Sequence, residues 1–164
     1  MRLTRSTFVV CLAATLLASV SAWAADKPSF TGTWEMNKSN SDFGQMPPQM
    51  VPDKLTQKIV QKGDAEMRVE SATTGARGMA STDMKYKLDG SESTNKNQMG
   101  EVKSTAKWEG SAIAISSQRE VQGMSISLTE KWELAADGKT MTVNRTMTGT
   151  PMGDVVTKTV FDKQ

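Results

Sequence analysis

Residues 109–148 read EGSAIAISSQ REVQGMSISL TEKWELAADG KTMTVNRTMT, and the glycine turns inside this stretch decide the fold. Glu109-Gly110, Gln122-Gly123 and Asp137-Gly138 cut it into strand-length pieces, and Asp89-Gly90 adds a fourth turn signal upstream. Asp-Gly is the strong form, because both central positions of the favoured two-residue hairpin loop need φ > 0. In Glu-Gly and Gln-Gly only the glycine suits. A two-residue loop also fixes which residues face each other across the hairpin. The Asp137-Gly138 loop pairs Ala136 with Lys139, and counting back along both strands pairs Leu134 with Met141, Trp132 with Val143, Glu130 with Arg145, and Leu128 with Met147. The Gln122-Gly123 loop independently sets Ile113 opposite Trp132, Ile115 opposite Glu130, and Arg119 opposite Ile126. The Glu109-Gly110 loop sets Ala106 opposite Ile113 and Ser104 opposite Ile115. Three hairpins thus agree on one interior surface: Val102, Ser104, Ala106, Trp108, Ile113, Ile115, Ser117, Ile126, Leu128, Trp132, Met141, Val143 and Met147.

Outward from this stretch the same rhythm continues. A first strand is expected at 30–36, anchored by Trp34, and then a loop at 37–52, where Gly44, Pro47, Pro48 and Pro52 leave no room for a helix. Further strands are expected at 54–61, 65–74, 79–88, 91–98, 100–108, 111–121, 124–135, 139–148 and 154–162, each rich in Thr, Val, Ile or Met. No apolar period of 3.6 residues runs for a useful length beyond the N-terminal segment. The expected class is all-β: an antiparallel up-and-down meander of eight to ten strands. So many consecutive strands with short links favour closure on themselves into a barrel, which removes exposed edges.

The N-terminal segment stands apart. Arg2 and Arg5 precede an apolar run at 8–20 that is short for a membrane span, and Ala22-Trp23-Ala24 offers small residues where a signal peptidase needs them. Cleavage is expected after Ala24, leaving one domain over 25–164 in the periplasm or outside the cell. Val9-Val10 before Cys11 is a poor context for lipid attachment, and an uncleaved anchor is the other disfavoured alternative. The leader carries off Arg2 and Arg5, which leaves 18 basic and 18 acidic residues. A net charge of zero gives no support for nucleic acid or an anionic membrane as partner.

What the chain lacks limits its chemistry. It has no histidine, and its one cysteine lies in the leader. The commonest general base, the commonest metal ligand, the thiol nucleophile and the usual haem ligands are therefore missing. No nucleophile-elbow pattern is present, and nothing marks two carboxylates as a glycosidase pair. The expectation is a non-enzyme with no cofactor and no metal. Eleven methionines follow the leader, and Met46 and Met50 flank Pro47-Pro48-Gln49, a pattern open to Cu(I) because thioethers are soft ligands. Core packing accounts for the methionines that fall on strands.

Glu130 and Arg145 intrude on the otherwise apolar interior as a directly opposed pair. A buried charge is tolerable only when paired and hydrogen-bonded. The pair reads either as a structural plug for one end of the barrel or as a polar contact for the head group of an enclosed ligand, and a slipped register would place both outside. The candidate ligand-binding set is Glu130, Arg145, Trp108, Trp132, Ser104 and Ile115. Arg119 adds a second cation near a strand end.

Gly32-Thr33-Trp34 opens the first strand. In this the chain resembles the lipocalin-like (calycin) barrels, whose first strand carries Gly-x-Trp near the closed end. A closer resemblance, over most of the chain, is to small secreted bacterial proteins of lipocalin-like type. It rests on Phe30-Thr31-Gly32-Thr33-Trp34, Lys38-Ser39, Ser41-Asp42-Phe43-Gly44, the run 137–143 and the ending Val160-Phe161-Asp162-Lys163. The resemblance implies a closed barrel in which Trp34 packs against an arginine from a late strand, with Arg145 the best match. The chain departs from the family in having no C-terminal helix and no disulfide, and in placing Thr82-Asp83-Met84 within a strand. The resemblance implies binding of a small apolar or amphipathic molecule. A protein-binding module, such as a periplasmic protease-inhibitor-like barrel, is the alternative, and an enzyme or metal carrier is the third class.

Overall fold

The computed structural model of the chain describes residues 27–97, 100–121, 123–151 and 153–164. The expected leader, Cys11, the cleavage point before Ala25 and Gln122 lie outside these residues. Ten strands follow one another: β1 (Gly32–Met36), β2 (Lys54–Lys62), β3 (Glu66–Gly75), β4 (Gly78–Lys87), β5 (Asp89–Asn97), β6 (Gly100–Glu109), β7 (Ala112–Val121), β8 (Met124–Leu134), β9 (Thr140–Thr148) and β10 (Val155–Lys163). All belong to one antiparallel sheet in the order β4-β3-β2-β1-β10-β9-β8-β7-β6-β5. Pairing of β1 with β10, Trp34 opposite Lys163, joins the first strand to the last and curls the meander into a nearly closed barrel.

The register agrees with the turn chemistry on two hairpins and corrects it on the others. Ile113 faces Trp132, Glu130 faces Arg145 and Leu134 faces Met141, as the Gln122-Gly123 and Asp137-Gly138 signals require. The β8–β9 ladder stops at Leu134–Met141, however, and Ala136 and Lys139 lie in a wider turn closed by Gly138 N–H donating to the Ala135 carbonyl (2.9 Å). At β6–β7 the loop is Gly110-Ser111, not Glu109-Gly110. Gly110 takes φ +65 as the first loop residue, while Glu109 stays in the ladder opposite Ala112. Ala106 therefore faces Ile115, and Ser104 faces Ser117. A shift of two residues preserves every side chain's face, so the deduced interior survives the change.

Asp89-Gly90 is not a hairpin loop. Leu88 alone separates β4 from β5, and the register shift between Asp89 and Glu92 makes Gly90, at φ +87, part of an irregularity at the start of β5. No ladder joins β4 to β5 among the described residues. Side chains bridge the seam instead. Lys85 N–H donates to Asn95 Oδ1 (2.8 Å), Asn95 Nδ2 donates to the Lys85 carbonyl (2.9 Å), and Lys87 N–H donates to Ser93 Oγ (3.0 Å). An amide side chain here imitates the backbone of a missing ladder rung.

The loop at 37–52 holds only two single turns of 3-10 helix, Lys38–Asn40 and Pro48–Met50, and is tied to β10 by the Asp42–Lys158 bridge. Phe30, Trp34, Ile59, Met67, Ile113, Met141 and Phe161 are almost completely buried and fill one half of the barrel. Trp34 Nε1 donates to the Phe30 carbonyl (2.9 Å), which answers the one polar atom of that side chain. The cation over the Trp34 ring is Lys163, its Nζ 5.2 Å from the centroid. Arg145, the partner implied by the family resemblance, sits opposite Thr157, six residues from Lys163 along β10 and hence about 20 Å away.

Candidate functional site

The other half of the barrel is hollow. A cavity of about 320 Å³ is lined from both sides of the seam. Strand pairing places its walls in rows. On one side, Gln57 of β2, Ser71 of β3 and Thr82 of β4 lie abreast, with Val69 and Met84 in the row below and Tyr86 below them. On the other, Ser117, Leu128 and Met147 lie abreast, and beneath them Glu130 and Arg145 stand between Ile115 and Thr157. Alternation along each strand puts all these side chains on the inner face. One wall is rich in hydroxyl and amide groups, and the other combines apolar side chains with the charged Arg119, Glu130 and Arg145.

Glu130 is 5% exposed and has three donors around it. Arg145 Nε donates to its Oε1 at 2.6 Å, Arg145 Nη2 approaches the same oxygen, and Trp132 Nε1 donates to Oε2 at 3.2 Å. Arg145 lines the cavity and keeps 37% of its side-chain surface accessible. The Glu130 carboxylate holds the Arg145 guanidinium above its ordinary range, and burial works against it. Burial pushes the Tyr86 hydroxyl well above the ordinary phenol value, with the Glu130 charge adding to it and Arg145 opposing. Tyr86 is thus close enough to feel both charges, and it stays protonated. Gln57, buried to 6% exposure, donates from Nε2 to Ser71 Oγ (3.4 Å), while its buried Oε1 has no hydrogen-bond partner.

Of the residues expected at a ligand site, the structure brings Glu130, Arg145 and Trp132 together on the cavity wall. Ser104, Ile115 and Trp108 are not among the lining residues. Ser104 stands beside Ser117 on the neighbouring strand, the two hydroxyls 2.8 Å apart. Ile115 is core. Trp108 packs on Phe30, with ring centroids 6.1 Å apart, and donates from Nε1 to the Asp64 carbonyl (3.1 Å), beneath Lys27. Arg119 does line the cavity.

Gln57, Ser71, Thr82, Met84 and Tyr86 are not singled out by sequence reasoning, because no strong two-residue turn sets the register of β2–β4. The available signal is the alternation Met67, Val69, Ser71 and Met84, Tyr86, Leu88, with the close pair Gly75 and Gly78 as its pivot. No group of three or more acidic, histidine or cysteine side chains suited to a metal ion occurs among the described residues. None of their helices is long and apolar enough to cross a membrane.

Neither a protein-family model nor a curated protein matches the chain. Solved structures do. Wild-type fluorescent protein UnaG superposes with a TM-score of 0.57, covering 82% of this chain and 97% of that chain at 21% sequence identity. A secretary abundant heat soluble (SAHS) protein from Ramazzottius varieornatus does so with a TM-score of 0.57, covering 82% and 95% at 18% identity. The fold is the lipocalin-like barrel. At such identities the likeness is one of architecture, and any function has to be argued from the site.

Proposed function

We propose that this protein is a carrier or sensor of a small apolar or amphipathic molecule, held inside the barrel and not chemically changed there. The observation that carries this reading is the half-filled interior. Ten strands close around a packed lower half and leave a cavity of about 320 Å³ above it. Leu128, Trp132, Met84, Val69 and Met147 give that cavity apolar surface, and polar side chains are set among them, Glu130, Arg145, Tyr86 and Gln57 included. Apolar surface with placed polar groups is the usual make-up of a small-molecule site, and the volume falls at the lower end of such sites. A barrel with no such role has no reason to stop packing halfway, since an empty volume forfeits contacts in its lining.

Export belongs to the same proposal. Arg2 and Arg5, the apolar run at 8–20 and Ala22-Trp23-Ala24 support a cleaved leader. Intact-mass measurement of the protein recovered from outside the cytoplasm is expected to show a chain starting at Ala25; a retained leader or a diacylglycerol on Cys11 would overturn it. For the site, Trp132 lies on the cavity wall, so occupancy should change tryptophan emission. Saturable emission changes on titrating small amphipathic compounds are expected in the wild type and lost when Leu128→Trp fills the cavity. Compounds that bind the filled variant equally well would place binding elsewhere.

A further inference from the structure

Glu130 and Arg145, on the cavity wall, are paired with each other. Arg145 Nε and Nη2 both go to one Glu130 oxygen, and Trp132 Nε1 donates to the other. A ligand carboxylate drawn to Arg145 would arrive beside Glu130, and a ligand cation drawn to Glu130 would arrive beside Arg145. In the low-dielectric interior of a barrel, like-charge repulsion at that range is poorly screened, and dehydrating an ionic head group is costly. Arg119 lines the cavity too, at the far end of β7, and already has an interaction of its own.

The buried side-chain atom without a partner among the described residues belongs to a neutral group. Gln57 is nine-tenths buried with one amide atom lacking a partner, and it lines the cavity. An orphaned buried polar atom is unusual enough to need a reason, and a missing ligand group is one. Tyr86 adds a hydroxyl donor on the same side. Ser71 and then Thr82 follow Gln57 along its row. The volume equals that of about ten waters, which suits a body of roughly ten to fifteen non-hydrogen atoms.

Resting on the binding reading above, we infer that the cavity takes an uncharged amphipathic molecule whose head group both donates and accepts hydrogen bonds, of the amide or alcohol type, and rejects the carboxylate of the same body. Gln57 and Tyr86 contact the head group, and the Glu130–Arg145 pair enforces its neutrality.

The test uses the full chain titrated with decanamide, 1-decanol and decanoate at pH 8, followed by tryptophan emission. Decanamide and decanol are expected to bind at least about tenfold tighter than decanoate, because the ion pair repels only the last. Decanoate should approach decanamide as the pH falls through the fatty acid's own titration near about 5, where it becomes neutral. Glu130→Gln leaves Arg145 unneutralised and is expected to invert the order, while Gln57→Leu weakens decanamide and leaves decanoate unchanged. If Glu130→Gln does not fold, the pH series on the wild type still decides. Decanoate binding as tightly as decanamide at pH 8, or an unchanged order in folded Glu130→Gln, overturns this inference and leaves a binding barrel standing. No binding by any of the three below about 100 μM overturns both readings.

Discussion

Arg145→Ala tests the interior more sharply than any other single change. Glu130 is 5% exposed, and Arg145 supplies two of its three donors. The variant leaves a carboxylate in the barrel with only Trp132 Nε1, at 3.2 Å, to stabilise it. Breaking a buried pair from one side costs about 3–5 kcal/mol, because the surviving charge is uncompensated. The lower end applies here, about 3 kcal/mol, since Arg145 borders the cavity and the space it vacates admits water. That is a large share of a stability of about 5–15 kcal/mol. The double variant Glu130→Leu with Arg145→Met removes both charges and fills similar volume, and is expected within about 1 kcal/mol of wild type. Urea melts of the three proteins at constant slope measure the differences. A single variant within about 0.5 kcal/mol of wild type would mean that the Glu130 charge is solvated and needs no partner, which refutes a dry, ion-paired interior.

Three further outcomes are expected. Asn95→Ala removes two hydrogen bonds across the β4–β5 seam and should cost about 2 kcal/mol, with faster amide exchange at Lys85; unchanged exchange there would show that the seam holds without it. Gly44 sits at φ +54, where an added Cβ would run into the Val156 carbonyl oxygen, so Gly44→Ala should lose about 1–3 kcal/mol in the same melts, and a neutral result would mean the loop at 37–52 shifts freely. Tyr86 is the only tyrosine, and burial pushes its pKa upward and so suppresses its ionisation in the folded state. A phenolate absorbance titration should therefore show it un-ionised well above pH 10, and its contribution to stability, complete below about pH 10, should be lost as the pH climbs toward the folded-state value. Ordinary titration near pH 10 in folded protein would place the ring in solvent.

The legible part of the fold is the part governed by glycine. Where Gly123 and Gly138 close hairpins, the partners on β7, β8 and β9 follow from counting, and Glu130 opposite Arg145 follows from turn spacing alone. Gly110 shows the limit of such counting. A dipeptide signal names the glycine but not whether it is the first or second loop residue, and an error of one place moves the partner by two. Asp89-Gly90 shows a different limit. The dipeptide marks a local irregularity as readily as a turn, and the β4–β5 seam depends on Asn95 and Ser93, whose side chains reach the neighbouring backbone in a way no spacing announces.

The site is half legible for a related reason. Glu130 and Arg145 stand out because charges on an apolar face are improbable, but Gln57, Ser71 and Thr82 are ordinary strand residues until β2, β3 and β4 set them abreast. Trp108 and Ile115 fall within the expected site because a deduced inner face carries no depth. A face says which way a side chain points, and only the three-dimensional filling says at which level packing ends. Here it ends at the ion pair. Below the row of Glu130 and Arg145 lie Trp132, Ile113, Val143 and the aromatic core; above it lie Ser117, Leu128 and Met147 around open space. The two readings of the pair, as a plug or as a ligand contact, therefore describe one position. A charge pair cannot be covered by apolar side chains without cost, so packing stops on it, and on the binding reading proposed above the hydrogen-bonded floor left behind is what a ligand would meet.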